Sequence, residues 1–351
     1  HLLCIPNPDE YSTKNTNNHH MSFAIPHNNQ GVTLLLNSDI KGAKIELKRA
    51  LQMDPNLSTA YTNLALCYLL EKDNNSSLKQ LEIASGKKIF DIFDFFIGTS
   101  AGGINALNIA GLEASCFELE NFWSKENLAK TMSKSFWDNA SFLQTKPKYD
   151  GKGKRELLLE YFKDQSLGEA KKPVAVLAYD VENRKPRLLS SYSSPGIKMV
   201  SAASATSAAP IYYSTQEIDD GTWLIDGGIV ANNPSLLGYS EAKKIFPGCD
   251  IKVFSIGAGI NRRKINGYNS SKWGALNWFR HDILGIMLES SMFDEIAGDL
   301  MGENYLRVNS PTGLVNRRMD DTSDVNLERI HLMGMEWWSE FGQETAEFLN
   351  V

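Results

Sequence analysis

Cysteine is scarce. The chain has four among 351 residues, Cys4, Cys67, Cys116 and Cys249, far apart and never as C-x-x-C. That spacing argues against a zinc site or a disulfide framework and suits a reduced compartment. Histidine is sparse too, at six. Positive charge is in deficit: 36 Lys and Arg face 42 Asp and Glu, a formal net charge of −6. No Lys/Arg run is dense enough for a phosphate-backbone footprint, so nucleic acid is not an expected partner. Long apolar runs are missing as well. The uncharged stretch from Phe95 to Leu112 holds four glycines and two asparagines among its apolar residues, and that from Met199 to Gln216 is rich in Ser, Thr and Ala and contains Pro210. Neither has the apolar density of a membrane-spanning helix. No basic segment leads an apolar core, so no signal peptide is visible. The chain begins at His1, which reads as a processed start or the start of a fragment. A cytoplasmic protein with access to a membrane surface is expected. At 42% hydrophobic and 22% charged, the composition is that of a globular chain of one large domain or two smaller ones.

What is there begins with a polar segment, residues 1–28, expected to be a disordered lead-in. Its adjacent His19 and His20 fall short of a metal's ligand set. From about residue 24 to 85 the chain repeats with a period of 34: Gly31 aligns with Ala65, Ala43 with Ser77, Leu47 with Leu81, and Ala50 with Ala84. Tyr61-x-x-Leu64-Ala65-x-x-Tyr68 and Pro55 resemble the tetratricopeptide pattern, in which small residues let paired helices approach. Residues 29–85 are therefore expected to be tetratricopeptide-like helical repeats, with any helical hairpin as the simpler alternative. Two such repeats need help to bury a core, from the rest of the chain or from a protein partner.

The most informative stretch follows. Ile92 to Ile97 is a nearly continuous apolar run, expected to be a buried parallel strand. It runs into Gly98-Thr99-Ser100-Ala101-Gly102-Gly103, and Ile104, Leu107 and Ile109 then recur as in a helix. Gly98-x-Ser100-x-Gly102 between a strand and a helix is the pattern of a nucleophile elbow. The turn is tight, so a Cβ at Gly98 or Gly102 is expected to clash. The serine projects outward, and the helix N-terminus, starting with the Ala101 N–H, faces a developing oxyanion.

A serine nucleophile needs a base. Only His281 and His331 follow the elbow, both within helical patterns where an ordinary packing role is expected. A better-placed base is Asp226. It ends the short strand pattern Thr222 to Ile225, and Gly227-Gly228 permit a tight turn beside the nucleophile. A D-G-G sequence taken alone is simply a turn.

GTSAGG at 98–103, SAASATSAAPIYY at 201–213 and LIDGGIVANNPS at 224–235, in that order, resemble the patatin-like phospholipase family. So do YDGKGKRELLLEYFKD at 149–164, PVAVLAYDVENRKP at 173–186 and the tail around 308–330. The resemblance spans about residue 86 to the C-terminus. It implies an α/β three-layer sandwich with a mostly parallel sheet, and a lipid acyl hydrolase of phospholipase A or esterase type. It also implies a catalytic dyad without histidine, with Ser100 as nucleophile and Asp226 as general base acting through an acyl-enzyme. A phospholipid or other acyl lipid is the implied substrate, and no metal or cofactor is implied.

One element of that family pattern is not found. A glycine-rich loop after the first sheet strand should precede the serine and supply oxyanion N–H groups. The glycines upstream, Gly31, Gly42, Gly86 and Gly98, are never adjacent. The expectation is a sheet short of its first strand, and a rate lowered by at least ~10²–10³, the typical cost of one oxyanion donor. Three readings stay open: an impaired hydrolase, an inactive relative that binds partners through the repeats, and a truncated or fused product. Two further patterns have plain readings. The small residues of Val200 to Pro210 suit close helix packing or room for an acyl chain. Trp273, Trp278 and Phe279 suit core packing or a lipid interface.

Overall fold

The computed structural model describes residues 18–37, 39–70, 88–133, 146–261, 264–274, 277–278, 285–286, 291–316, 318 and 320–349. They fall into two compact units, the described residues of 18–92 with 115–121, and those of 93–114 with 122–349.

The first unit is helical. Helices α1 (Asn18–Leu36), α2 (Ile40–Met53) and α3 (Ser58–Leu70) pack in succession, α1 on α2 and α2 on α3. Asp39 starts α2 by accepting the Gly42 N–H on its carboxylate, 3.0 Å, which satisfies a donor the helix itself leaves open. Ala43, Leu47 and Ala50 are fully buried along one stripe, the spacing of a core-facing helix face. A Cβ on Gly31 of α1 would lie 2.6 Å from Leu47 Cγ, so the glycine sets how closely α1 and α2 approach. Helix α1 reaches back into the segment expected to be disordered: residues 18–28 are helical, and Ala24 and Asn28 are fully buried. Pro26 lies inside the helix. The second copy of the expected repeat begins in α3, and its second half, with Ser77, Leu81 and Ala84, lies outside the described residues. The short helices α4 (Ile89–Ile92) and, for most of its length, α6 (Cys116–Phe122) belong to this unit.

The second unit is α/β. Strand β1 (Phe96–Thr99) leads into α5 (Ala101–Leu112); α7 (Lys125–Thr131) and α8 (Lys152–Phe162) follow. Then come β2 (Val174–Asp180), β3 (Lys185–Ser190), α9 (Met199–Thr206), β4 (Gln216–Glu217) and β5 (Trp223–Asp226). Next are α10 (Gly228–Ala231), α11 (Ser235–Ile245), β6 (Val253–Ile256), α12 (Gly267–Ser270), α13 (Ser291–Met301), β7 (Tyr305–Val308) and α14 (Asp324–Leu349). Strand β2 is the core: Val174 to Ala178 are all buried, as expected of a strand covered on both faces. Helices α5 and α9 pack on it.

The sheet is mixed, and this corrects the mostly parallel arrangement expected from sequence. Strands β1 and β2 pair in parallel, but β3 and β5 both run antiparallel to β2, and β4 antiparallel to β5. The reason for β3 is local. Asp180 accepts the N–H groups of Glu182 and Asn183, and Arg184 takes a positive φ of 52°. That tight turn joins only antiparallel neighbours. Strands β6 and β7 form a separate two-stranded parallel sheet, and β1 bonds to β2 alone among the described strands. Helix α11 packs against both β1 and β6, and Phe93, just before β1, stacks on Phe254 of β6 at 5.7 Å. Among the described residues no helix is long and apolar enough to cross a membrane.

Candidate active site

The register of β2 brings the site together. Ala175 to Asp180 pair with β3 along one edge of β2. The opposite edge is shared end to end by β1, which pairs Thr99 with Leu177, and β5, which pairs Asp226 with Ala178. Two strands running toward each other therefore finish at adjacent residues of a third. Ser100 is the first residue beyond the end of β1, and Asp226 is the last of β5.

The Ser100 hydroxyl donates to Asp226 Oδ2 at 2.6 Å. Ser100 takes φ 57° and ψ −128°, a conformation costing a non-glycine residue about 1–3 kcal/mol. The strain turns the side chain off the start of α5, where it would otherwise cap the helix, and toward the carboxylate. A Cβ on Gly98 would lie 2.2 Å from the Gly102 carbonyl oxygen, so that position demands glycine. Gly102 does not: nothing lies within 4 Å of its Cβ position, contrary to the clash expected there. The tight glycine on the helix side is Gly103, whose Cβ would meet Thr206 Cγ2 at 2.9 Å.

Asp226 is only 5% exposed. Its Oδ1 accepts the Gly228 N–H at 2.7 Å, which leaves Oδ2 aimed at the serine. Its own N–H donates to Ala208 O. Gly227 is required because a Cβ would lie 2.2 Å from Leu177 O. Burial pushes the Asp226 carboxyl above the usual carboxylate range, while the Ser100 hydroxyl, the Gly228 N–H and the Lys154 ammonium pull the other way. A carboxyl kept moderately basic in this way is a better proton acceptor near neutral pH than an exposed one.

Several contributors were not legible in the sequence. Thr206 is fully buried at the end of α9; its hydroxyl accepts the Ser100 N–H at 3.0 Å and donates to Leu177 O at 2.6 Å. Thr99 Oγ1 donates to Ala231 O at 2.9 Å, tying the elbow to the helix after the D-G-G turn. Lys154 of α8 is 5% exposed on the buried face of its helix, and its charge acts on Asp226. The Ser100 N–H is already bonded to Thr206. Ala101 N–H opens α5, where the first amides lack intrahelical partners.

Among the described residues, Ser100 pairs with a carboxylate and not with a histidine. His281 lies outside the described residues. His331 lies on α14, where burial lowers its pKa, and Ser100 pairs with Asp226. Among the described residues no cluster of three or more His, Cys, Asp or Glu is placed to hold a metal ion. Trp273 and Trp278 pack edge to face at 5.2 Å; Phe279 lies outside the described residues.

The sequence matches known proteins over the same elements. The model of the patatin-like phospholipase family matches residues 62–237, which carry both Ser100 and Asp226. A cGAMP-activated phospholipase of Pseudomonas aeruginosa is 27% identical over 282 residues, covering 77% of this chain and 82% of that protein. Patatin-like protein 4 of Arabidopsis thaliana is 28% identical over 316 residues, 76% of each chain. Patatin group J-1 of Solanum tuberosum is 26% identical over 310 residues, 73% of this chain and 76% of that one.

Proposed function

Since this chain belongs to the patatin-like phospholipase family, a family of lipid acyl hydrolases, we propose that it cleaves acyl-lipid esters with Ser100 as nucleophile and Asp226 as general base. The observation that carries the reading is the 2.6 Å hydrogen bond from Ser100 to Asp226 at a strained strand-to-helix turn.

In acylation, Asp226 Oδ2 takes the Ser100 proton as Oγ attacks the ester carbonyl carbon. The carbonyl π pair moves onto oxygen, and the Ala101 N–H at the positive end of α5 faces that charge. When the tetrahedral intermediate collapses, the alkoxide of the alcohol or lysolipid leaves with the proton held by Asp226. In deacylation, Asp226 takes a proton from water, the hydroxide adds to the acyl carbon, and the proton returns to Ser100 Oγ as the fatty acid departs. Gly228 fixes the carboxylate throughout, so a single carboxylate serves as base and then acid without an imidazole between.

The expected weak point is the oxyanion hole. No glycine-rich loop precedes the serine in the sequence, and β1 has a bonded neighbour on one side only among the described strands. A site with Ala101 as its main donor is expected to turn over roughly 10²–10³ more slowly than one with a full set. The test is fatty-acid release from a short-chain ester and from phospholipid vesicles, for wild type beside Ser100→Ala and Asp226→Asn. Release that falls to background in both variants supports the reading. A wild type no faster than the variants sinks it and favours a non-catalytic relative that acts through its helical N-terminal segment.

A further inference from the structure

Helix α8 presents Lys154, Leu157, Leu158 and Phe162 to the interior. Three of these are apolar, and the fourth is an amine. An unpartnered ammonium at such a site is costly, so its surroundings are informative. Nζ lies 3.0 Å from Ser207 O, 3.2 Å from Ser207 Oγ and 3.5 Å from Ser204 O. Its fourth neighbour is the face of Tyr213, with the ring centroid at 3.9 Å. Ser207 Oγ spends its own proton on Ala203 O at 2.6 Å, which leaves a lone pair for the lysine. These acceptors close the C-terminal end of α9, the negative end of that helix.

The same corner holds both members of the dyad. Thr206 accepts the Ser100 N–H, Ser207 accepts from Lys154, and Ala208 O accepts the Asp226 N–H. Three consecutive residues therefore carry the nucleophile, the buried cation and the base. We propose that Lys154 is a positioning residue of this hydrolase, a buried counter-charge that holds Asp226 in its carboxylate form and clamps the 206–208 corner from which Ser100 and Asp226 both hang. The inference rests on the dyad reading given above.

The electrostatics run the same way as the geometry. Burial lowers the Lys154 pKa to about 7, and the Asp226 charge resists that fall. Burial raises the Asp226 pKa, and the Lys154 charge resists that rise. Each group thus favours the charged form of the other. Among the described residues, Asp226 is the charged group that acts on Lys154. From the 208–213 loop, Tyr213 offers its ring face while its phenol donates to Thr131 O; from α7, Lys130 turns to the exposed Glu160. At Asp226, the polar contacts of the carboxylate among the described residues are the Ser100 hydroxyl and the Gly228 N–H. As pH rises through about 7 the lysine is expected to lose its proton, so its hold on Asp226 belongs to neutral and acid conditions.

The test is the titration of the Asp226 carboxyl carbon, followed by NMR on ¹³C-aspartate protein and assigned by its loss in Asp226→Asn. Wild type is compared with Lys154→Met and Lys154→Gln. The first removes charge and donors; the second keeps an N–H donor and removes only the charge, and serves if the first folds poorly. The Asp226 midpoint is expected to rise by roughly one pH unit in both, the size an opposite charge nearby confers. The acid limb of ester hydrolysis should move with it, and the gap between wild type and variant should narrow above about pH 8, where the wild-type lysine is itself neutral. An Asp226 midpoint that is the same in wild type and Lys154→Gln overturns the proposal, since a lysine that only fills space would leave it unmoved. If wild type releases no fatty acid, the hydrolase reading fails by itself, while the carbon titration still decides whether Lys154 controls Asp226.

Discussion

Gly98 and Gly102 flank the same serine at equal spacing, yet the structure gives them opposite tolerances. Alanine at Gly98 would drive a methyl to 2.2 Å from backbone, and at Gly102 into open space. Gly98→Ala is therefore expected to cost more than about 4 kcal/mol or to prevent folding, whereas Gly102→Ala should stay within about 1 kcal/mol of wild type. Urea unfolding of the two variants checks both. Asp226 allows a second contrast. Its folded pKa is raised, so its ionisation favours the unfolded chain, and its contribution to stability falls as pH rises past the unfolded value of about 3.9. Asp226→Asn should thus abolish hydrolysis while leaving the melting temperature at pH 7 equal or higher. A variant that loses both would point to a structural role for the carboxylate. The strand, glycine turn and helix that follow one another without a break pointed to Ser100, and the family resemblance pointed to Asp226; the structure sets the two in hydrogen-bond contact. Gly103, Thr206 and Lys154 were not legible in the sequence, because each depends on what the fold lays across it. A lysine in KGKREL looks like a solvated one until its helix is turned.

At the scale of elements, the site is a consequence of register. Strands β1 and β5 meet along one edge of β2 at Leu177 and Ala178, and the end of α9 with the residues just after it spans the junction through Thr206 and Ala208. The sequence pattern of β1 identified a buried strand but not its neighbours. The mostly parallel sheet came from the family resemblance, and the apolar run of β2 offers nothing to correct it, because burial on both faces leaves no alternation to read. The antiparallel returns of β3 and β5 follow instead from the Asp180 turn and from the pairing of Asp226 with Ala178. The α9 junction yields its own prediction. Thr206→Val keeps the shape but leaves the Ser100 N–H and Leu177 O without their partner, at about 1–3 kcal/mol for a buried unsatisfied group. Thr206→Ser keeps the hydroxyl. Hydrolysis and stability should both fall in the valine variant and remain near wild type in the serine variant. Equal behaviour of the two would mean that the hydroxyl does not hold the elbow.

At the scale of the molecule, the second unit is also secured far along the chain from the dyad. Asp320, its side chain only 2% exposed, accepts from Lys148 and from the Tyr149 hydroxyl at 2.6 Å, tying the segment before α14 to the loop that enters α8. Burial pushes the Asp320 carboxyl up, but those hydrogen bonds and the nearby Arg318 and Lys148 charges outweigh it and hold its pKa down at about 2. The depressed value means stability that is present above the unfolded pKa of about 3.9 and lost as pH falls toward 2. Asp320→Asn should lower stability at pH 7 by about 2 kcal/mol, and the gap to wild type should close as the solution is acidified. A gap that persists in acid would assign the loss to packing. The helical first unit was legible in outline from the stripe Ala43, Leu47 and Ala50, while its start at Asn18 was hidden by polar residues and Pro26.

All of these scales converge on one oxygen. The most direct measurement is peptide-mapped mass spectrometry of the protein after reaction with a fluorophosphonate, followed over time in wild type, Ser100→Ala and Asp226→Asn. The expected result is a single adduct on Ser100, none in Ser100→Ala, and formation slowed by roughly 10²-fold or more in Asp226→Asn, the typical worth of a positioned general base. An adduct on another residue, or one that forms at the wild-type rate without the Asp226 carboxylate, would contradict it.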